Sequence, residues 1–202
     1  MGVPVLIIGE TGSGKTYSIK NMNPSEVGIF SVEKGLLPFR GDFKVVPKAT
    51  YSKINKIFSE PKLKQYVIDD SQYLLVNDYF DRAKDTGYQK FTDMALAFRN
   101  LVHDVNMKLP DDVIVYFLHH TEYDSNSGKT KAKTIGKMID SYLTLEGCFD
   151  IVLMTAVEGS EHCFITQSDG YNTAKSPEGM FDLKIPNDLA YVDRMIREYW
   201  GL

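Results

Sequence analysis

Residues 9–16 read Gly9-Glu10-Thr11-Gly12-Ser13-Gly14-Lys15-Thr16 and match the pattern G-x-x-x-x-G-K-[ST] at every fixed position. Each position has a chemical task. Glycines let successive backbone N–H groups converge on a polyphosphate at a helix N-terminus, where the dipole also favours anions. Lys15 reaches toward β- and γ-phosphates, and the Thr16 hydroxyl is placed to ligate Mg²⁺. The apolar run 3–8 before the motif and the stretch 17–22 after it supply the strand and helix that this chemistry requires. ATP and Mg²⁺ are therefore the expected cofactors.

Other chemically competent residues fall where apolar runs end. The run Tyr66-Val67-Ile68 leads into Asp69-Asp70-Ser71, the Walker B pattern of a strand that delivers a carboxylate to Mg²⁺. The spelling leaves Asp69 and Asp70 equally eligible. Ser31-Val32-Glu33-Lys34-Gly35 puts Glu33 at another strand end, where a carboxylate orients the attacking water; Asp70 competes for that role. The run 112–118 passes directly into His119-His120. Successive strand residues point to opposite sides, so one of the pair is expected to face the nucleotide and sense its γ-phosphate. The segment 127–137 carries four lysines, Lys129, Lys131, Lys133 and Lys137, and no acid. As a flexible loop it would touch a nucleic-acid backbone or a neighbouring subunit's phosphates. Arg194 and Arg197 near the C-terminus are candidate arginine fingers, with surface ion pairing as the commoner use of such residues.

These residues need a scaffold, and the pattern predicts one. Strands are expected at 3–8, 27–32, 43–46 (a short edge strand), 64–69, 112–118, 149–157 and 161–167, the last two as a hairpin. Helices are expected at 15–22, 51–58, 72–84, 90–107, 135–145 and 187–199, with a polar loop at 121–133. Helix 90–107 shows Phe91, Met94, Ala95, Phe98, Leu101, Val102 and Val105 at helical spacing. Strands alternating with helices imply a mainly parallel α/β sheet flanked by helices, and such sheets bind ligands beyond the C-terminal ends of their strands.

The chain has 202 residues, 43% hydrophobic and 25% charged, which is ordinary for a globular domain and enough for a sizeable core. One domain over 1–202 is expected, opening directly on its first strand with no leader and no N-terminal partner domain. A net charge of −4 argues against a globally basic nucleic-acid coat but permits a local basic groove. No apolar run approaches a membrane span. Cys148 and Cys163 lack metal-ligand spacing and read as buried thiols of a reducing, cytoplasmic compartment.

The set resembles the phage RecA-like ATPases of the Sak-type single-strand annealing family. The resemblance rests on residues 9–16, on 32–35, on 67–71, on His119-His120, and on a late stretch from Ala174-Lys175-Ser176-Pro177-Glu178-Gly179-Met180-Phe181 to Ile185-Pro186-Asn187-Asp188-Leu189. It implies an additional-strand P-loop fold with strand 112–118 between the phosphate-loop and Walker B strands, plus a C-terminal β-hairpin and helix. It implies Glu33 as the base, Asp70 rather than Asp69 on the metal, and a sensor at His119 or His120, where RecA carries glutamine. A DNA-binding loop is implied at about 121–134. The implied protein is an ATP-Mg-dependent hydrolase in a bacterial host cell. It binds single-stranded DNA in phage recombination, annealing or replication, works as a ring or filament with nucleotide between subunits, and partners a single-strand binding protein. The rivals are a nucleotide-switched adaptor such as a helicase loader, and a small-molecule or nucleotide kinase.

Overall fold

The computed structural model describes every residue except Lys34, and Met138 by its backbone alone. Lys34, within the rim stretch 32–35, thus lies outside the described residues. The described residues form a three-layer α/β domain around a nine-stranded, mostly parallel sheet.

The strands are β1 (Val3–Gly9), β2 (Val27–Ser31), β3 (Lys44–Pro47), β4 (Gln65–Asp69), β5 (Ile114–Asp124), β6 (Lys129–Ala132), β7 (Ile151–Glu158), β8 (Glu161–Ile165) and β9 (Lys184–Pro186). Their order is β3-β2-β4-β5-β1-β7-β8-β9, with β6 paired to β5 outside this path. Pairing is parallel from β3 through β7 and antiparallel at β7–β8 and β8–β9. β5 therefore lies between β1 and β4, and β3 is an edge strand, as expected. The C-terminal hairpin joins the main sheet through β7.

The nearly unbroken apolar character of the central strands has a simple cause: both faces are covered. Leu6, Ile8, Phe30, Ile68, Val115 and Phe117 pack under helices α1 (Tyr51–Phe58), α2 (Gln72–Asp81) and α3 (Gln89–Lys108). Their alternate neighbours Val5, Ile7, Ile29, Val67, Tyr116 and Leu118 pack with Leu189, Val192 and Ile196 of α5 (Leu189–Trp200). At about 25 cal/mol per Å² of apolar surface removed from water, these two cores dominate the stabilisation. The apolar stripe of α3 is the one its spacing predicts.

Three local expectations are corrected. The helix expected at 15–22 is a single 3₁₀ turn, Thr16–Ile19. The polar loop expected at 121–133 is largely strand: β5 runs on to Asp124 and turns back as β6. Asp124 makes this turn, accepting from the Asn126 N–H and the Ser127 hydroxyl through its carboxylate and from Gly128 N–H through its carbonyl. The helix expected at 135–145 shrinks to α4 (Lys137–Asp140), followed by a 3₁₀ turn at Leu145–Cys148. β9 had no sequence signal strong enough to predict it.

Candidate functional site

β1 ends at Gly9 and the chain wraps over the C-terminal edge of the sheet before the 3₁₀ turn. Gly9 admits no side chain, because a Cβ there would lie 1.7 Å from Thr155 Oγ1 on β7. Lys15 folds back into the loop it belongs to: its ammonium donates to Gly9 O at 2.9 Å and to Glu10 O at 2.8 Å. The residue is only 6% exposed. Burial lowers its pKa, and the charges of Asp70, Asp69 and Glu10 partly oppose that. With a helix of one turn behind it, the loop has little macrodipole to offer an anion, contrary to expectation. What remains on the cavity wall is Lys15 with Thr11, Gly12, Gly14 and Thr16.

Thr16 and Asp69 stand 53 positions apart in sequence and meet here: Thr16 Oγ1 donates to Asp69 Oδ1 at 2.8 Å. Asp69 closes β4, which puts its carboxylate at the same sheet edge as the loop. Burial, then the neighbouring charge of Asp70, raise its pKa to about 6; the Thr16 hydrogen bond and Lys15 pull it back. Asp70 takes a left-handed backbone, φ 59°, which Asp tolerates better than most residues. That break in the strand's alternation lets both carboxylates line one cavity.

The cavity holds about 500 Å³, and its wall includes Lys15, Thr16, Glu33, Asp69, Asp70 and His120. Glu33 stands at its outer rim, exposed, with Oε1 accepting from Asn77 on α2 at 3.2 Å. His120 donates from Nε2 toward Asp70 Oδ1 at 3.2 Å and meets the Tyr73 ring edge-on. Tyr17, Leu36, Leu37 and Pro38 add an apolar flank that sequence reasoning missed.

No protein-family model matches this chain, and no curated protein does either.

The two adjacent histidines part company, as alternation demands. His119 is fully buried against Phe98 and does not reach the cavity. Its Nε2 lies 2.7 Å from Lys133 O, a pure acceptor, so the proton sits on Nε2. Nδ1 then accepts from the Ser71 hydroxyl at 2.9 Å. Burial lowers its pKa to about 4, so it is neutral at pH 7. His119 is thus a strut between the end of β4 and the end of the β5–β6 hairpin, and of the pair His120 alone lines the cavity.

The lysine segment is also redistributed. Lys131 is committed internally, 3.1 Å from Asp140 and 3.5 Å from Glu122. Lys129, Lys133 and Lys137 are exposed. Glu146 anchors the hairpin from beneath, accepting from Ala132 N–H at 2.7 Å and the Thr173 hydroxyl at 3.0 Å. The arginines lie elsewhere. Arg197 is tied to Asp193 at 2.7 Å and to Asp112 O at 2.9 Å, at the opposite end of the sheet. Arg194 covers the Tyr191 ring on the exposed face of α5.

Two thiols are free, Cys163 buried and Cys148 only half-buried. Among the described residues no cluster of three or more His, Cys, Asp or Glu side chains suits a metal, and no helix is long and apolar enough to cross a membrane.

Proposed function

We propose that the chain is a RecA-like, additional-strand P-loop ATPase that binds ATP-Mg²⁺ over residues 9–16, hydrolyses it, and couples the cycle to single-stranded DNA. One observation carries this reading. The hydrogen bond from Thr16 to Asp69 joins the phosphate-loop and Walker B patterns at one cavity, beside a buried Lys15. Supporting it, β5 occupies the position between β1 and β4 that the additional-strand arrangement requires.

Lys15 would exchange its contacts with loop carbonyls for phosphate oxygens, which offsets the burial of its ammonium more fully than the nearby carboxylates do. Mg²⁺ needs only one or two protein oxygens when phosphates and water complete its shell, so Thr16 and Asp69 fit it without a larger cluster. Asp69's raised pKa marks a buried acid that a cation would favour in its charged form. The geometry thus favours Asp69 over Asp70 on the metal, against the resemblance. When bound, Mg²⁺ neutralises charge on the phosphate oxygens. Glu33 at the rim takes a proton from the attacking water, and the Asp70–His120 pair sits across the cavity to sense the γ-phosphate. Lys129, Lys133 and Lys137 present the positive charge for a DNA backbone, and Lys131 ties the hairpin that carries Lys129 to Asp140 of α4, the helix that Lys137 opens.

The test is phosphate release from ATP-Mg²⁺, with and without single-stranded DNA, alongside the particle mass in solution. Release without any added acceptor, accelerated by DNA, supports the reading. A strict requirement for a small acceptor would make the chain a kinase. Slow release indifferent to DNA, with nucleotide-dependent capture of a protein partner, would make it an adaptor.

A further inference from the structure

The C-terminal part of the chain grips the phosphate loop at one carbonyl. His162 on β8 donates from Nδ1 to Ser13 O at 3.0 Å. Asn187, between β9 and α5, approaches the same oxygen with Nδ2 at 3.5 Å. Thr155 on β7 donates to Ser13 Oγ at 2.6 Å, and that hydroxyl donates on to Glu10 O at 2.7 Å. Three elements with no part in the G-x-x-x-x-G-K-[ST] pattern therefore converge on its Ser13.

The consequence follows from peptide geometry. A trans peptide is planar, so its N–H points opposite to its C=O. With Ser13 C=O drawn toward His162 and Asn187, the Gly14 N–H is turned away from them. Gly14 lines the cavity, and neither His162 nor Asn187 does. Among the described residues no acceptor takes that N–H. Glycine is required here twice over. Its φ is +98°, and a Cβ would meet Asn187 Nδ2 at 2.6 Å and His162 Nδ1 at 2.9 Å.

We infer that His162 and Asn187 are positioning residues for phosphate binding, holding the Ser13–Gly14 peptide so that the Gly14 N–H faces the bound anion. This rests on the phosphate-binding reading above and adds to it a second-site control from the C-terminal hairpin. Neither residue touches the ligand; they act through one peptide plane. Asn187 Nδ2 lies 3.5 Å from Ser13 O and His162 Nδ1 3.0 Å, so the amide contributes the weaker of the two bonds and His162 the stronger.

The experiment measures binding of ATP-Mg²⁺ and of inorganic tripolyphosphate to the full chain by calorimetry, with the melting midpoint of each nucleotide-free variant as a fold control. His162→Ala should weaken both ligands about five- to tenfold, the worth of one hydrogen bond, with only a small fall in the melting midpoint. His162→Asn places an amide N–H where the imidazole Nδ1 stood and should restore wild-type affinity. His162→Gln carries its amide to the Nε2 position and should resemble Ala. Asn187→Ala should weaken binding less than His162→Ala. If the wild type binds and His162→Ala binds equally well, the inference is overturned while the phosphate-binding reading stands. Equal losses in all three His162 variants, tracking a lowered melting midpoint, would also overturn it, by making the residue merely structural. If the wild type binds neither ligand, the phosphate-binding reading falls and this inference with it.

Discussion

Two clusters of charged residues sit at opposite ends of the same sheet and are built differently. At the N-terminal ends of the strands, Asp193 receives Tyr116 Oη at 3.0 Å, Gln65 Nε2 at 2.8 Å and Arg197 Nε at 2.7 Å. One anion is surrounded by donors, and its cation is paired. At the C-terminal ends, Lys15 donates to nothing more than loop carbonyls, while Asp69 shares its surroundings with a second carboxylate and is displaced to about 6. The first cluster is satisfied by the fold. The second is held by the fold in a state that an anion and a divalent cation would improve. Charge buried in compensated pairs serves stability; two carboxylates crowded beside a cavity are what the proposed binding of a cation and a phosphate would use.

That contrast can be broken by substitution. The largest effect is expected from Lys15→Ala, which should lower ATP turnover about a hundred- to thousandfold, the scale of removing one preorganised electrostatic group. Its melting midpoint should change little, because burial disfavours the charge of the lost ammonium more than the nearby carboxylates support it. Steady-state phosphate release and calorimetric melting read both halves. Glu33→Gln should cut turnover on the order of a hundredfold while sparing ATP affinity, as loss of a general base does. Normal turnover in that variant, with loss in Asp70→Asn, would move the base to Asp70.

The N-terminal cluster should answer in the opposite sense. Asp193→Ala leaves the buried Tyr116 hydroxyl and the Gln65 amide without their acceptor and Arg197 without its carboxylate, and should cost about 3 kcal/mol in a denaturant titration. ATP affinity of the folded fraction should be unchanged.

Acid sharpens the comparison within the site. His119 titrates near 4 in the folded chain, below its ordinary 6.5, so its contribution to stability is present above 6.5 and is lost as pH falls toward 4. Asp69 titrates near 6, above its ordinary 3.8, so protonating it favours the folded state over nearly the same window. The two oppose each other. Asp69→Asn removes the compensation, and that variant should lose about 2 kcal/mol more than the wild type between pH 6.5 and 4.5, since each unit of displacement is worth about 1.4 kcal/mol. Denaturant midpoints across that range give the answer.

The smallest effect concerns the hairpin. Removing Lys129 and Lys137 together should reduce the salt dependence of single-stranded DNA binding by about 1.4 in log–log slope, at roughly 0.7 per phosphate contact. Lys131→Ala should leave that slope unchanged, since its ammonium is spent on Asp140 and Glu122. A reduced slope for Lys131→Ala would reassign it to the DNA face.

Much of this architecture was legible beforehand, and the exceptions have physical causes. Continuous apolar runs marked the central strands because a parallel sheet is covered on both faces, and the stripe on α3 marked its buried side. β6 was missed because Lys129 and Lys131 alternate with Thr130 and Ala132 at a polar edge, where charge masks the period of two. The turn residues Asp124-Ser125-Asn126-Ser127-Gly128 were the available signal. The 3₁₀ turn after the loop was missed because the phosphate-loop pattern specifies a helix start and is silent on its length.

Sequence alone determined the phosphate-loop pattern, the acid-bearing strand ends and the alternating course of the chain, since these depend on neighbours within a few residues. Three matters waited for tertiary structure. Asp69 rather than Asp70 meets Thr16, because a left-handed residue at 70 breaks the strand's alternation. His119 is a strut and His120 faces the cavity, because burial and a carbonyl partner fix one imidazole. Thr155, His162 and Asn187 reach Ser13 only because β7–β9 fold back beside β1, a contact across roughly 150 residues that no local spacing encodes.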